Sequence, residues 1–152
     1  MRQFRTLGPR CKNHQVNPLI FSMLSFRRET DYAIHLLRAL SVKGAVVSLK
    51  NLADQTHVSF LFFQKIARKL RQAGLIEAEQ GVNGGYRLLV SPRKLSLRQI
   101  LQVTEGECCL LPCLGKCGFT CASIKKCCLK NKVGKISKEF LKMLEKVKLS
   151  DL

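Results

Sequence analysis

Residues 59–88 read SFLFFQKIARKLRQAGLIEAEQGVNGGYRL. Ser59 is a favoured helix N-cap residue, because its hydroxyl can accept from a free backbone N–H of the first turn. Phe63, Ile66, Ala67 and Leu70 recur at the spacing of one helical face. The pattern predicts a helix over Phe60 to Ala73, stopped by Gly74 in the left-handed conformation. Lys65, Arg68, Lys69 and Arg71 make this helix basic. Leu75 to Glu79 and Tyr86 to Val90 suit short strands, and the cluster Gly81-Val82-Asn83-Gly84-Gly85 between them closes a hairpin.

Upstream, Tyr32, Ala33, Leu36, Leu37 and Leu40 lie on one face of a helix expected over Asp31 to Lys43 and ended by Gly44. Ser48 caps a short helix that turns Leu49, Leu52 and Ala53 inward, and a polar turn from Gln55 to His57 leads on to Ser59. Two helices joined tightly, the second basic, form a helix-turn-helix pattern, and a hairpin directly after it is a wing. Ser96 starts another helix with Leu97, Ile100 and Leu101 apolar. The expected fold class is therefore mainly α with a small β-hairpin: a winged helix-turn-helix over residues 23–106, followed by a C-terminal dimerisation helix.

Outside that unit the texture changes. Residues 1–22 show no periodicity and no acid, so a disordered extension is expected, with Met23 as the true start; the alternative is a basic arm that touches DNA. Residues 107–128 hold seven of the eight cysteines with Pro112, Gly115 and Gly118, which favours a loop. In residues 129–152, Leu129, Val133, Ile136, Phe140, Met143 and Val147 alternate at four- and three-residue spacing. That is a heptad seam, expected to pack against the same helix of a second subunit. Docking on its own domain is the alternative.

Twenty-seven Lys and Arg stand against ten Asp and Glu in 152 residues, a formal charge of +17. Such a charge attracts polyanions, so nucleic acid or an anionic membrane is the obvious partner, and the helix-turn-helix pattern makes double-stranded DNA the expected one. No apolar run approaches the roughly 18 residues of a membrane span. Leu19 to Phe26 is too short and meets Arg27 and Arg28 where an export signal needs small residues. No membrane association and a cytoplasmic location are expected, so the cysteines read as metal or redox chemistry more readily than as disulfides. An enzyme is not expected: the histidines lie far from the loop, and neither a phosphate-binding motif nor paired carboxylates stand out.

A recognition helix presents its N-terminal residues to base edges in the major groove. Here these are Ser59, Phe60, Leu61, Phe62, Gln64 and Lys65, with Arg68 behind them. Gln64 suits adenine, Lys65 and Arg68 suit guanine or phosphate, and the phenylalanines suit thymine methyls, apart from Phe63, which belongs to the core. Arg27, Ser48 and the wing residues Gln80, Gly81, Val82, Asn83, Gly84 and Gly85 complete the expected DNA-contacting set. Gly84 is expected to need positive φ and close backbone approach.

The segment from Tyr32 through Leu88 resembles the bacterial winged-helix regulators typified by IscR and NsrR. The resemblance is carried by Asp31-Tyr32-Ala33-Ile34, by Ser48-Leu49-Lys50-Asn51-Leu52-Ala53, by Leu70-Arg71-Gln72-Ala73-Gly74-Leu75-Ile76, and above all by Gly81-Val82-Asn83-Gly84-Gly85-Tyr86-Arg87-Leu88. Leu97 to Gly106 is similar to the helix that follows in that family. The resemblance implies a homodimer on a palindromic operator, and a sensor loop that in many members holds an iron–sulfur cluster through three cysteines. Two departures make the operator sequence untransferable: Gln80 stands where members often carry arginine, and Gln64 where some carry glutamate.

Cys113, Cys121 and Cys127, with seven and five residues between them, are similar in spacing to the cluster ligands of that family. They are the expected metal ligands, for a 2Fe-2S or 4Fe-4S cluster. Cys108, Cys109, Cys117 and Cys128 offer substitutes or a fourth ligand, and Lys116, Lys125 and Lys126 would favour an anionic centre. Cys113-x3-Cys117-x3-Cys121 is also compatible with zinc, the main alternative, and a metal-free thiol switch is the second. Cys11, His35 and His57 are not expected to be ligands. A basic winged-helix module that acts architecturally, without sensing, is the competing function.

Overall fold

A computed structural model describes residues 26–41, 46–81, 84–106, 108, 110–114, 121, 124 and 126–152. The expected extension over 1–22, the Gly44 stop, Val82, Asn83, Cys11, Cys109, Cys117, Lys116 and Lys125 lie outside these residues.

Five helices and one hairpin follow in chain order: α1 (Arg28–Ser41), α2 (Leu49–Thr56), α3 (Phe60–Gln72), β1 (Ile76–Glu79), β2 (Gly85–Leu88), α4 (Leu97–Thr104) and α5 (Leu129–Lys146). Short 3-10 turns occupy Pro112–Leu114 and Leu149–Asp151. Helix α1 starts three residues before the expected start at Asp31, with Glu29 and Asp31 in its first turn, where carboxylates complement the helix dipole. Ser48 and Ser59 occupy N-cap positions with extended ψ, but neither side chain makes a capping bond. Ser96 does, in a reciprocal capping box with Gln99.

Ala33, Leu36, Leu37 and Leu40 of α1 pack with Leu52 and Ala53 of α2 and Phe63, Ile66, Ala67 and Leu70 of α3 to form the core. Leu75, Ile76, Leu95, Ile100 and Leu149 close it. Helix α2 ends at His57, the one non-glycine residue with positive φ among the described residues (φ 55°). Gly74 (φ 69°) ends α3 as the sequence predicts and turns the chain straight into β1.

The hairpin pairs Ile76 with Leu88, Glu77 with Arg87, Ala78 with Tyr86 and Glu79 with Gly85. Arg87 forms ion pairs with Glu77 opposite it and with Glu79 diagonally. Val47 adds a third antiparallel partner that the sequence reading did not contain. Its N–H donates to Tyr86 O (2.9 Å), and Tyr86 N–H donates back (3.0 Å). The wing is thereby tied to the segment that leads into α2.

Helix α5 turns only part of its expected seam outward. Its buried side centres on Ser137 and Leu144, with Phe140, Leu141 and Val147 against Leu97 and Leu101 of α4. Val147 has left the helix: its extended backbone accepts from Leu97 N–H (2.9 Å), and Leu149 N–H donates to Leu95 O (2.8 Å). Leu129, Ile136 and Met143, seven residues apart, stay exposed; Ile136 is 56% and Met143 65% accessible. Of the six residues expected on one seam, Phe140 and Val147 thus join the chain's own core, Leu129, Ile136 and Met143 form an exposed stripe, and Val133 is half-buried. No described helix is long and apolar enough to cross a membrane.

Candidate nucleic-acid interface

The exposed side of α3 is set by what its buried side must do. Phe63, Ile66, Ala67 and Leu70 are fully buried, so Leu61, Gln64, Lys65 and Arg68 point away from the core. At about 100° per residue these four span roughly 100° of arc, a face narrow enough for one groove. Phe60 and Ser59 are also exposed at the leading end. Phe62 is not on this face. It is half-buried, packed on the core, with its ring edge-on to Tyr32 at 5.8 Å. Of the three phenylalanines in the expected reading helix, only Phe60 is presented outward.

Lys69, which the sequence places among the basic residues of the reading helix, turns inward. Its Nζ lies 2.6 Å from Glu29 Oε1 of α1 and donates to Thr104 O at the end of α4 (3.2 Å). The Glu29 side chain is only 12% exposed and that of Lys69 34%. Beside this pair, Glu105 Oε1 accepts from Arg27 N–H (2.9 Å) and from the Thr30 hydroxyl (2.7 Å). The buried Thr30 hydroxyl lies 2.7 Å from that of Thr104. Glu105 thereby satisfies a donor at the start of α1 from a distant part of the chain. These contacts join three elements at one point: the start of α1, the last turn of α3, and the end of α4, where Gly106 (φ 92°) opens the cysteine loop. The helical wheel gave a hint, since Lys69 borders the apolar arc of Ile66 and Leu70; Glu29 and Thr104 as partners left no sequence signal.

In the wing, Gln80 and Gly81 are exposed, and Gly81 adopts positive φ (132°). Gly84 does not, which corrects the expectation for it. Its requirement for glycine is steric: a Cβ there would lie 2.6 Å from Glu79 O and 2.9 Å from Gly81 O. At Gly85 a Cβ would meet Val47 O at 2.5 Å, so this glycine permits the bridge between wing and α2 entry. Ser48 is half-buried next to that bridge, and Arg27 sits at the α1–Glu105 junction.

In the loop, Cys113, Cys121 and Cys127 are half-buried, as is Cys108, which packs beside Leu97, Leu101 and Leu144; Cys128 is exposed. Among the described residues no three of His, Cys, Asp or Glu gather closely enough to hold a metal ion. The donors available suit a thiolate-bound centre: residues 108–128 contain seven cysteines, three lysines and no carboxylate. His35 lies at the α1 surface, 3.7 Å from Asp31.

A family model described as "Rrf2: Iron-dependent Transcriptional regulator" matches residues 26–152. The chain is 32% identical over 125 residues to an HTH-type transcriptional regulator NsrR of Shouchella clausii, covering 81% of this chain and 84% of that protein. Its fold is similar to that of CymR, the global cysteine regulator of B. subtilis, at 23% identity and a TM-score of 0.67 over 85% of this chain and 95% of that one. It is also similar to T. potens IscR, at 26% identity and a TM-score of 0.59 over 84% of this chain and 85% of that one. The NsrR and CymR relatives are named as regulators.

Proposed function

The chain belongs to the Rrf2 family of DNA-binding, helix-turn-helix transcriptional regulators, and from that premise we propose that it binds a palindromic operator as a homodimer and adjusts that binding through its cysteine loop. In this reading Cys113, Cys121 and Cys127 hold an iron–sulfur cluster. The cluster, when bound, supplies sensitivity to redox, iron or nitric oxide status.

The observation that carries the proposal is the junction at Lys69. A loop that begins at Glu105-Gly106 is anchored to residues that also hold the reading helix, through Lys69 to Thr104 O and Lys69 to Glu29. Any reordering of the loop that moves the end of α4 acts on α3 through these contacts. A difference of a few kcal/mol between two loop states is enough to move most of a population. The exposed face of α3 and the wing do the binding. Lys65 and Arg68 engage phosphate or guanine, Gln64 faces adenine, and Gln80 and Gly81 bring the wing backbone close to the duplex. The stripe of Leu129, Ile136 and Met143 supplies the contact with a second copy, whose reading helix reaches the next half-site about one helical turn away.

The test is anaerobic purification followed by a visible spectrum and assays of iron and sulfide. A brown protein with both elements supports the cluster. A colourless protein with one zinc per chain replaces it by a zinc-structured regulator, and a colourless metal-free one by a thiol switch.

A further inference from the structure

Leu61 is the most exposed large apolar side chain among the described residues, at 73%. It stands in the first turn of α3, on the arc that it shares with Gln64, Lys65 and Arg68, and exposed Phe60 precedes it. An apolar side chain this open gains nothing for the fold. The surface around it is not that of an apolar protein contact: α3 contains no acid, and Lys65 and Arg68 flank the leucine within two turns. The charge selects a polyanion as the occupant of this face, and a polyanion offers one apolar group to a helix in its major groove, the C5-methyl of thymine.

We propose that Leu61 reads thymine methyl groups and is a specificity-determining residue of this regulator. The inference rests on the DNA-binding role of α3 given above. It takes the methyl contact away from Phe62, one of the phenylalanines to which the sequence reading gave it, because Phe62 is turned to the core. Phe60 stands on the neighbouring part of the helix surface. With Gln64 one turn on and suited to adenine, each half-site is expected to contain thymine and adenine within a few base pairs.

A duplex is first selected from a randomised pool with the full-length protein. It is then resynthesised with deoxyuridine in place of every thymine, which removes the methyl and keeps the base-pairing edge. Wild type is expected to bind the thymine duplex about fourfold more tightly for each methyl buried. In Leu61→Ala that ratio falls to near one, while circular dichroism shows the helices intact. Arg68→Ala weakens binding to both duplexes and keeps the ratio, because a phosphate contact is blind to the methyl. Equal wild-type affinity for both duplexes, with selection still sequence-specific, overturns the proposal. So does a thymine preference that survives in Leu61→Ala. If no duplex is selected at all, the DNA-binding role of α3 fails, and the methyl reading with it.

Discussion

Replacing Lys69 by methionine separates its two possible roles. If Lys69 reaches DNA, its loss removes a phosphate contact. If it does what its geometry shows, its loss strands Glu29 against the core. An exposed ion pair is worth at most about 1 kcal/mol, and breaking a fully buried one costs about 3–5 kcal/mol. Glu29 is 12% exposed and Lys69 34%, so solvent screens the pair in part. The expected loss is about 2 kcal/mol, including the long bond to Thr104 O. With a urea m-value of about 1.5 kcal/mol/M for a domain of this size, the midpoint falls by about 1.3 M. Adding Glu29→Gln to Lys69→Met should recover about half, since the stranded charge is then gone. Operator binding gives the second readout. The salt dependence of Lys69→Met should keep the wild-type slope, because no counterion release is lost. A midpoint shift below about 0.3 M, or a slope reduced by about one unit, would refute the junction as the anchor of α3.

Arg68→Ala should reduce the salt slope by about 0.9 and leave urea stability within about 0.5 kcal/mol, as checked by binding from 50 to 200 mM salt. Gly84→Val forces the wing turn open against Glu79 O and Gly81 O, so operator affinity should fall at least tenfold while thermal unfolding of the helical core moves little; unchanged affinity would remove the wing from the interface. Ile136→Lys with Met143→Lys should give a folded monomer by sedimentation, whereas Leu144→Ala should cost about 2–4 kcal/mol of stability; a double variant that stays dimeric defeats the exposed stripe as the subunit contact. Serine at Cys121 or Cys127 should abolish visible absorbance, while serine at Cys108 should spare it; a coloured Cys121→Ser protein rules that ligand out.

The helices and the hairpin were legible because their signals are periodic and local. Phe63, Ile66, Ala67 and Leu70 announce one buried face, and Gly74 and the Gly81–Gly85 cluster announce the breaks. What escaped was set by contacts between residues distant in sequence. Val47 joins the wing through a single bridge to Tyr86, and one residue makes no pattern. Lys69 reads as surface cation until Glu29 and Thr104, brought together by α1 and α4, give it partners. The α5 seam misled in part because its apolar positions drift around a 3.6-residue helix. Phe140 lies at the edge of the side that docks through Leu144, and Val147 belongs to an extended segment where helical spacing no longer applies. Gly84 shows the same limit, since glycine was foreseeable there but the backbone oxygens that demand it were not. The thiols of the loop carry no periodicity at all, so their convergence is a matter for chemistry to test.

The most direct measurement is operator affinity of the anaerobically reconstituted protein, set against that of the same preparation stripped of iron and sulfide. A regulator whose cysteine loop acts on α3 through Thr104 and Lys69 should bind in the two states with affinities that differ tenfold or more, about 1.4 kcal/mol, in one direction or the other. Equal affinities, with iron and sulfide verified in the reconstituted sample, would contradict the coupling of loop to reading helix.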